Sequence, residues 1–241
     1  MTLDLRQFGQ SVQKPLQTLK KMLATELSIL SRGNTGRPTK MRIQITEPSL
    51  FDTNGSRKYL NAAERTRFQD AMRHLPPRER VFCAVLLFSG GRVSEVLALT
   101  PAAIDLESGE IILRTLKRRR KGVVRQIPLP PALLCDLDDL FELGKARTDP
   151  LRQHRPVWTW SRSTAWRLVK KAMKEAQVIG VAASPKGLRH TFGVSAFQAN
   201  VPPHLVQRWL GHASLRTTAI YADVSGNEEK QFAARMWRNS N

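Results

Sequence analysis

The chain has 241 residues, with 39 Lys and Arg against 20 Asp and Glu and a formal charge of +19. That length supports one good-sized domain or two small ones, and 41% hydrophobic residues exclude a disordered or fibrous chain. So large a positive excess calls for a polyanionic partner. Nucleic acid ranks ahead of a membrane, because the longest apolar run, VFCAVLLF at 81–88, is too short to span a bilayer.

Residues 1–30 carry Leu16, Leu19, Leu23, Leu27 and Leu30 at helical spacing, which predicts one amphipathic helix, two at most. SRGNTGRPTK, positions 31–40, reads as a basic flexible connector. The N-terminus, MTLDLRQFGQ, has no basic segment followed by an apolar one, so the expectation is a cytoplasmic protein. A compact domain is expected from position 59. Asn61 and Glu64 have capping-box spacing, and Phe68, Ala71, Met72 and Leu75 form one stripe.

Pro76 and Pro77 then open a helix through Phe88 that stops at Ser89-Gly90-Gly91. RVSEVLAL reads as a short helix with Val93, Val96 and Leu97 inward. GEIILRTLK and VVRQIPLP read as two strands of a hairpin around the basic turn RRRKG. PALLCDLDDLFELG is an acidic amphipathic helix, and SRSTAWRLVKKAMKEAQ a basic one with Ala165, Val169, Ala172, Met173 and Ala176 inside. Three short helices follow, in SPKGLRHTFGVSAFQA, PHLVQRWL and SLRTTAIYA. In the last, Leu215, Thr218, Ala219 and Ala222 make the buried stripe and Tyr221 falls beside it. A final helix, 225–241, places Phe232, Met236 and Trp237 on one face. Cys83 and Cys135 lack disulfide or zinc spacing and read as core residues of a reducing compartment.

Several residues sit where their chemistry is hard to satisfy. Arg92 follows Gly90-Gly91 between apolar stretches, and a half-buried guanidinium there needs an anion. Glu95 at i+3 can supply one, either as a plain ion pair or as a group orienting Arg92 toward a phosphate. Lys186 and Arg189 share one face near a helix start capped by Ser184, where two cations repel each other and the macrodipole unless an anion lies between them. Seven bases and no acids occupy Arg114 to Arg125: Arg114, Lys117, Arg118, Arg119, Arg120, Lys121 and Arg125. Charge at that density suits a phosphodiester backbone, whether it only steers DNA or belongs to a site. Tyr221, one of two tyrosines in the chain, reads as a core aromatic, a surface residue or a nucleophile.

The order GGRVSEVLAL, basic hairpin, PKGLRHTF, WLGHASLRTTAIYADV resembles the catalytic domain of the tyrosine recombinases: phage integrases, Xer-type recombinases and fimbrial-switch invertases. The resemblance covers roughly Tyr59 to Val224 and implies a mainly helical α+β domain with a small antiparallel sheet. Arg92 and Arg189 would be the family's two arginines. Lys186 would stand at the first position of its H-x-x-R motif, with His190 supporting, and His212 would be its second histidine. Tyr221 would be the nucleophile. The hairpin general acid would be Lys117, with Lys121 the alternative. The implied activity is site-specific recombination of double-stranded DNA through a 3′-phosphotyrosyl intermediate, without metal, ATP or other cofactor.

The resemblance further implies a homotetramer on DNA, joined through the 225–241 helix, an accessory protein, and a place on the bacterial nucleoid. It leaves 1–58 as helix and linker, without the family's usual core-binding domain. Lys186 departs from the family's histidine, and lysine is a poor base near neutral pH. A type IB topoisomerase, or a DNA-binding regulator reading PHLVQRWLGHASLRTTAIY as a helix-turn-helix, are the rival expectations.

Overall fold

A computed structural model describes residues 49–115 and 123–222 of the chain. Helix α1 (Ala62–Arg73) starts at the capping box: the Asn61 side chain accepts from the Glu64 N–H, and the Glu64 carboxylate accepts from the Asn61 N–H. Phe68, Ala71, Met72 and Leu75 are buried, as their spacing requires. Helix α2 (Pro77–Ser89) is apolar almost all round and runs through the middle of the domain, with every residue from Val81 to Leu87 buried. It ends at Gly90, whose φ of 60° is left-handed. A side chain there would also collide with Phe192 and Leu210.

Helix α3 (Val93–Leu97) is followed by a 3₁₀ turn (Pro101–Ala103) and an antiparallel sheet, β1 (Ile104–Asp105), β2 (Glu110–Arg114) and β3 (Val124–Pro128), in that order. The two-residue β1 is too short to announce itself in sequence. In the β2–β3 pair Ile111 lies opposite Ile127 and Leu113 opposite Arg125, and all four side chains are buried.

The predicted acidic helix is two: α4 (Pro131–Phe141) and α5 (Leu143–Thr148), broken at Glu142, whose φ is 49°. Its Cys135 is exposed, not core as the sequence suggested; only Cys83 is buried. Helix α6 (Arg162–Glu175) buries the five residues predicted, counting Ala176 at its C-cap. Of the three helices read as short, α7 (Pro185–Gln198) has 14 residues, α8 (Pro203–Leu210) has eight and α9 (Arg216–Ala219) four.

Two cores result. The larger surrounds α2, where Phe82 meets Trp158 and Trp160 edge-on at 5.2 and 5.5 Å and Trp158 meets Phe141 at 5.3 Å. The smaller gathers Leu50, Tyr59, Val194, Val206, Leu210, Ile220 and Tyr221, so the chain ahead of position 59 already contributes to this unit. No helix among the described residues is long and apolar enough to cross a membrane. The predicted helices at 1–30 and 225–241 and the hairpin tip at 116–122 lie outside the described residues.

Phe82→Ala should lower unfolding free energy by about 3–5 kcal/mol, whereas Ile179→Ala, at an 85% exposed position, should change it by under about 0.5 kcal/mol. Urea unfolding followed by tryptophan fluorescence reads both.

Candidate active site

The site is assembled around one carboxylate. Arg92 adopts extended backbone at the N-cap of α3, and its N–H donates to Glu95 Oε2 at 3.0 Å while its Nη1 donates to Oε1 at 2.8 Å. Arg125, from β3, donates its Nη2 to Oε2 at 2.5 Å. Glu95 thus bridges two guanidiniums, with side-chain exposures of 1% for Glu95, 2% for Arg125 and 31% for Arg92. Burial alone would raise the Glu95 carboxyl, but the charges of Arg125 and Arg92 and the hydrogen bonds from Arg92 outweigh it and hold the group below its ordinary value. Arg92 is the member of the triad that reaches solvent.

The second anchor is the end of α8. The Leu210 carbonyl accepts from Arg125 Nη1 at 2.6 Å and from Arg189 Nη2 at 2.5 Å, and the Trp209 carbonyl accepts from Arg125 at 3.1 Å. A helix C-terminus carries partial negative charge, so cations settle there. Arg189 Nη1 also donates to the Gly90 carbonyl at 2.7 Å. The helix stops at Gly211, with φ of 64°, and a Cβ at Gly211 would strike the Arg125 side chain at 2.7 Å. Glycine is needed there twice over, for backbone and for clearance.

His212 follows, with Nδ1 hydrogen-bonded to Thr218 Oγ1 at 2.9 Å, which leaves Nε2 for substrate. Tyr221 stacks on the His212 ring, centroids 6.1 Å apart and planes 11° apart, and its hydroxyl meets His190 Nδ1 at 3.2 Å. The tyrosine ring lies flat on Gly193, where any Cβ would come within 2.6 Å of it.

Three guanidiniums (Arg92, Arg125, Arg189) converge with Glu95 as the carboxylate bonded among them. The excess shows on its neighbours. Burial first, then the charges of Arg92 and Arg125, lower Arg189 to about 10. Burial, followed by Arg189, Arg92, His190 and Arg125, pushes His212 down to about 3. Burial likewise pushes Tyr221 up to about 12 against the pull of Arg189 and Arg92. An anion entering this wall would offset the crowding of cations and bring Arg189 and His212 back toward their ordinary values.

The sequence expectations map onto this geometry unevenly. Arg92, Glu95, Arg189, His190, His212 and Tyr221 come together. Lys186 is exposed on the first turn of α7, and its charge acts on His190. Arg114 is exposed at the end of β2, while Lys117, Arg118, Arg119, Arg120 and Lys121 lie outside the described residues.

Two expectations are corrected. Arg125 was grouped with the DNA-facing bases of the hairpin, but at 2% exposure, bonded to Glu95 and two carbonyls, it is a buried strut. Strand alternation carried the signal, since Arg125 and Ile127 in VVRQIP must share a face. The sequence places Tyr221 beside a buried stripe of Leu215, Thr218, Ala219 and Ala222, with its hydroxyl within reach of solvent or substrate. Instead Thr218, Ile220 and Tyr221 are buried, and Leu215 is 49% exposed. Helical phase failed because α9 is only four residues long.

Comparison with known proteins gives these residues a context. The model of the phage integrase family matches residues 58–228. Tyrosine recombinase XerA of Pyrococcus furiosus is 30% identical over 164 residues, 66% of this chain and 54% of that protein. Tyrosine recombinase XerD of Mycobacterium tuberculosis is 29% identical over 157 residues, 61% of this chain and 48% of that one. The chain therefore spans about half the length of the curated relatives it matches. A crystal structure of XerA recombinase superposes with a TM-score of 0.61 at 25% identity, covering 74% of this chain and 64% of the other. XerH site-specific recombinase bound to difH substrate superposes with a TM-score of 0.59 at 20% identity, covering 78% and 59%, and shares the fold.

The two depressed histidines make stability depend on pH. In the unfolded chain each takes a proton near its ordinary 6.5, but in the fold not until about 4 for His190 and about 3 for His212. The unfolded state therefore binds more protons as pH falls below 6.5, and stability drops through that window. The melting temperature should decline from pH 6.5 to pH 4, and the double variant His190→Asn/His212→Gln should show a flatter decline in the same scan.

Proposed function

This chain belongs to the phage integrase family, and on that premise we propose that it is a site-specific DNA recombinase that cleaves and rejoins duplex DNA through a 3′-phosphotyrosyl bond at Tyr221. What carries the reading is that Arg92, Arg189, His212 and Tyr221, distributed from one end of the domain sequence to the other, share one wall. Arg92 and Arg189 both act on Tyr221 and His212 through their charge, and the two rings stack.

In this reading the phosphodiester enters among Arg92, Arg189 and His212. The tyrosine oxygen attacks phosphorus in line with the 5′ oxygen, and negative charge grows on the two non-bridging oxygens. Arg92 and Arg189 are already anchored, by Glu95 and by the Gly90 and Leu210 carbonyls, so they meet that charge without reorganising. His212 donates from Nε2, its other nitrogen being held by Thr218. A hairpin lysine, Lys117 in preference to Lys121, protonates the departing 5′ oxygen. The phosphotyrosine stores about the energy of the bond it replaces, so a second 5′ hydroxyl can reverse the step on another strand without ATP.

The wider assignments follow from the same reading. Arg114 and the bases of the hairpin tip contact the DNA backbone, and Lys186 contributes charge beside the scissile phosphate. The segment 225–241 joins protomers into a homotetramer on DNA, with an accessory protein selecting the outcome. The setting is a mobile element in a bacterial cytoplasm, on the nucleoid.

Nicked duplexes from the DNA flanking the source gene, incubated without metal or ATP, should give a covalent complex on denaturing gels with the wild type and none with Tyr221→Phe. Arg92→Ala and Arg189→Ala should each slow its formation by about 10²–10³. A duplex that the protein binds specifically and never captures covalently would refute the reading.

A further inference from the structure

We propose that His190 is a catalytic residue of this chain: it takes the phenolic proton from Tyr221 as the tyrosine attacks and returns it when the strands are rejoined. The inference rests on the phosphotyrosyl reading above and names the base that reading lacks. A base is required because burial pushes the phenol up to about 12, so at neutral pH the nucleophile is protonated and must shed its hydrogen to form the new bond.

Elimination within the site leads to one group. Arg92 and Arg189 are cations with no lone pair to offer. Both oxygens of Glu95 are engaged, one by Arg92 and one by Arg92 and Arg125. His212 stacks flat against the tyrosine ring, with Nδ1 committed to Thr218. Lys186, at the position where the family resemblance has a histidine, is exposed on the first turn of α7. His190 lies one helical turn after Lys186 on α7, and among the described residues its Nδ1 is the hydrogen-bond partner of the Tyr221 hydroxyl, at 3.2 Å.

The ring's second nitrogen supports the assignment. Among the described residues, His190 Nε2 is buried without a hydrogen-bond partner. To accept at Nδ1, a neutral imidazole must carry its own hydrogen on Nε2, so the ring keeps a buried N–H unsatisfied, an arrangement that costs stability and needs a reason. Burial and the surrounding cations keep the ring neutral near pH 7: Lys186 and Arg189 on its own helix and Lys58 from the segment before α1, with the neutral His212 and Tyr221 completing its surroundings.

The step balances. A bond forms between Tyr221 Oη and phosphorus as the bond from phosphorus to the 5′ oxygen breaks. The phenolic proton passes to His190 Nδ1, and the 5′ oxygen receives one from the hairpin lysine. As the new bond forms, the phenolic oxygen loses its basicity, so attack and proton transfer proceed together. Rejoining runs the same transfers backward, the imidazolium returning its proton to the departing tyrosine.

The test is single-turnover cleavage of a nicked duplex, made once with the ordinary phosphate and once with sulfur as the 5′ bridging atom, which leaves without a proton. His190→Asn and His190→Ala, first checked by thermal unfolding and by binding to the duplex, should cleave both substrates at least about 10² more slowly than wild type. The sulfur should restore Lys117→Ala or Lys121→Ala instead. Added imidazole should restore much of the rate to His190→Ala, a rescue that a purely structural role would not give. Wild-type rates in both His190 variants, recovery of either by the sulfur substrate, or no response of His190→Ala to imidazole would each overturn the proposal while leaving the Tyr221 adduct intact. A wild type that forms no Tyr221 adduct would remove the phosphotyrosyl reading itself, and this proposal with it.

Discussion

Everything in the site depends on the buried carboxylate of Glu95. Side chains from α3 and β3, Arg92 and Arg125, are fixed by its two oxygens, and Arg125 in turn reaches the α8 carbonyls that also receive Arg189. Removing one partner of a buried pair of this kind costs about 3–5 kcal/mol, because the other charge is stranded. The same bonds also set geometry. Strand β3 and helices α3, α7 and α8 are tied through three guanidiniums, one carboxylate and the Leu210 carbonyl.

This lattice holds like charges together before any substrate arrives. Such an arrangement is costly in the free protein and favourable once an anion enters, which is how differential binding of a charged transition state is built. The cost falls on neighbours that can bear it, two histidines kept neutral and Arg189 lowered to about 10, while burial keeps the Tyr221 phenol protonated against the pull of the same cations. Glycines at 90, 193 and 211 make the approach possible, each where a methyl group would meet an active-site ring or arginine or its packing.

Most of the architecture was legible because it follows from local rules. Caps, prolines and glycines located α1, α2 and α8, and the stripe of α6 fixed its buried face. Arg92, Arg189, His212 and Tyr221 were linked to one another through their order in the chain, which periodicity alone would not have done. The errors arise where tertiary contact overrides a local pattern. Arg125 reads as one more base in a charged hairpin unless strand alternation is applied to it. Tyr221 looks exposed if α9 is continued as an ideal helix, but the chain turns after four residues. Glu142 breaks an otherwise regular amphipathic helix by adopting a left-handed backbone, which nothing in PALLCDLDDLFELG announces. The contact of His190 with the tyrosine hydroxyl spans 31 positions and required the fold.

The central claim is that this wall of cations is completed by a phosphodiester, and the ring of His212 reports on it. Its titration can be followed by nitrogen NMR in the Tyr221→Phe protein, free and bound to a duplex that the wild type cleaves. The free ring should titrate at about 3. In the complex, with an anion between it and Arg92 and Arg189, it should return toward about 6.5 or above. A value that stays at about 3 in the bound state would mean that the phosphate sits elsewhere, and would contradict the account.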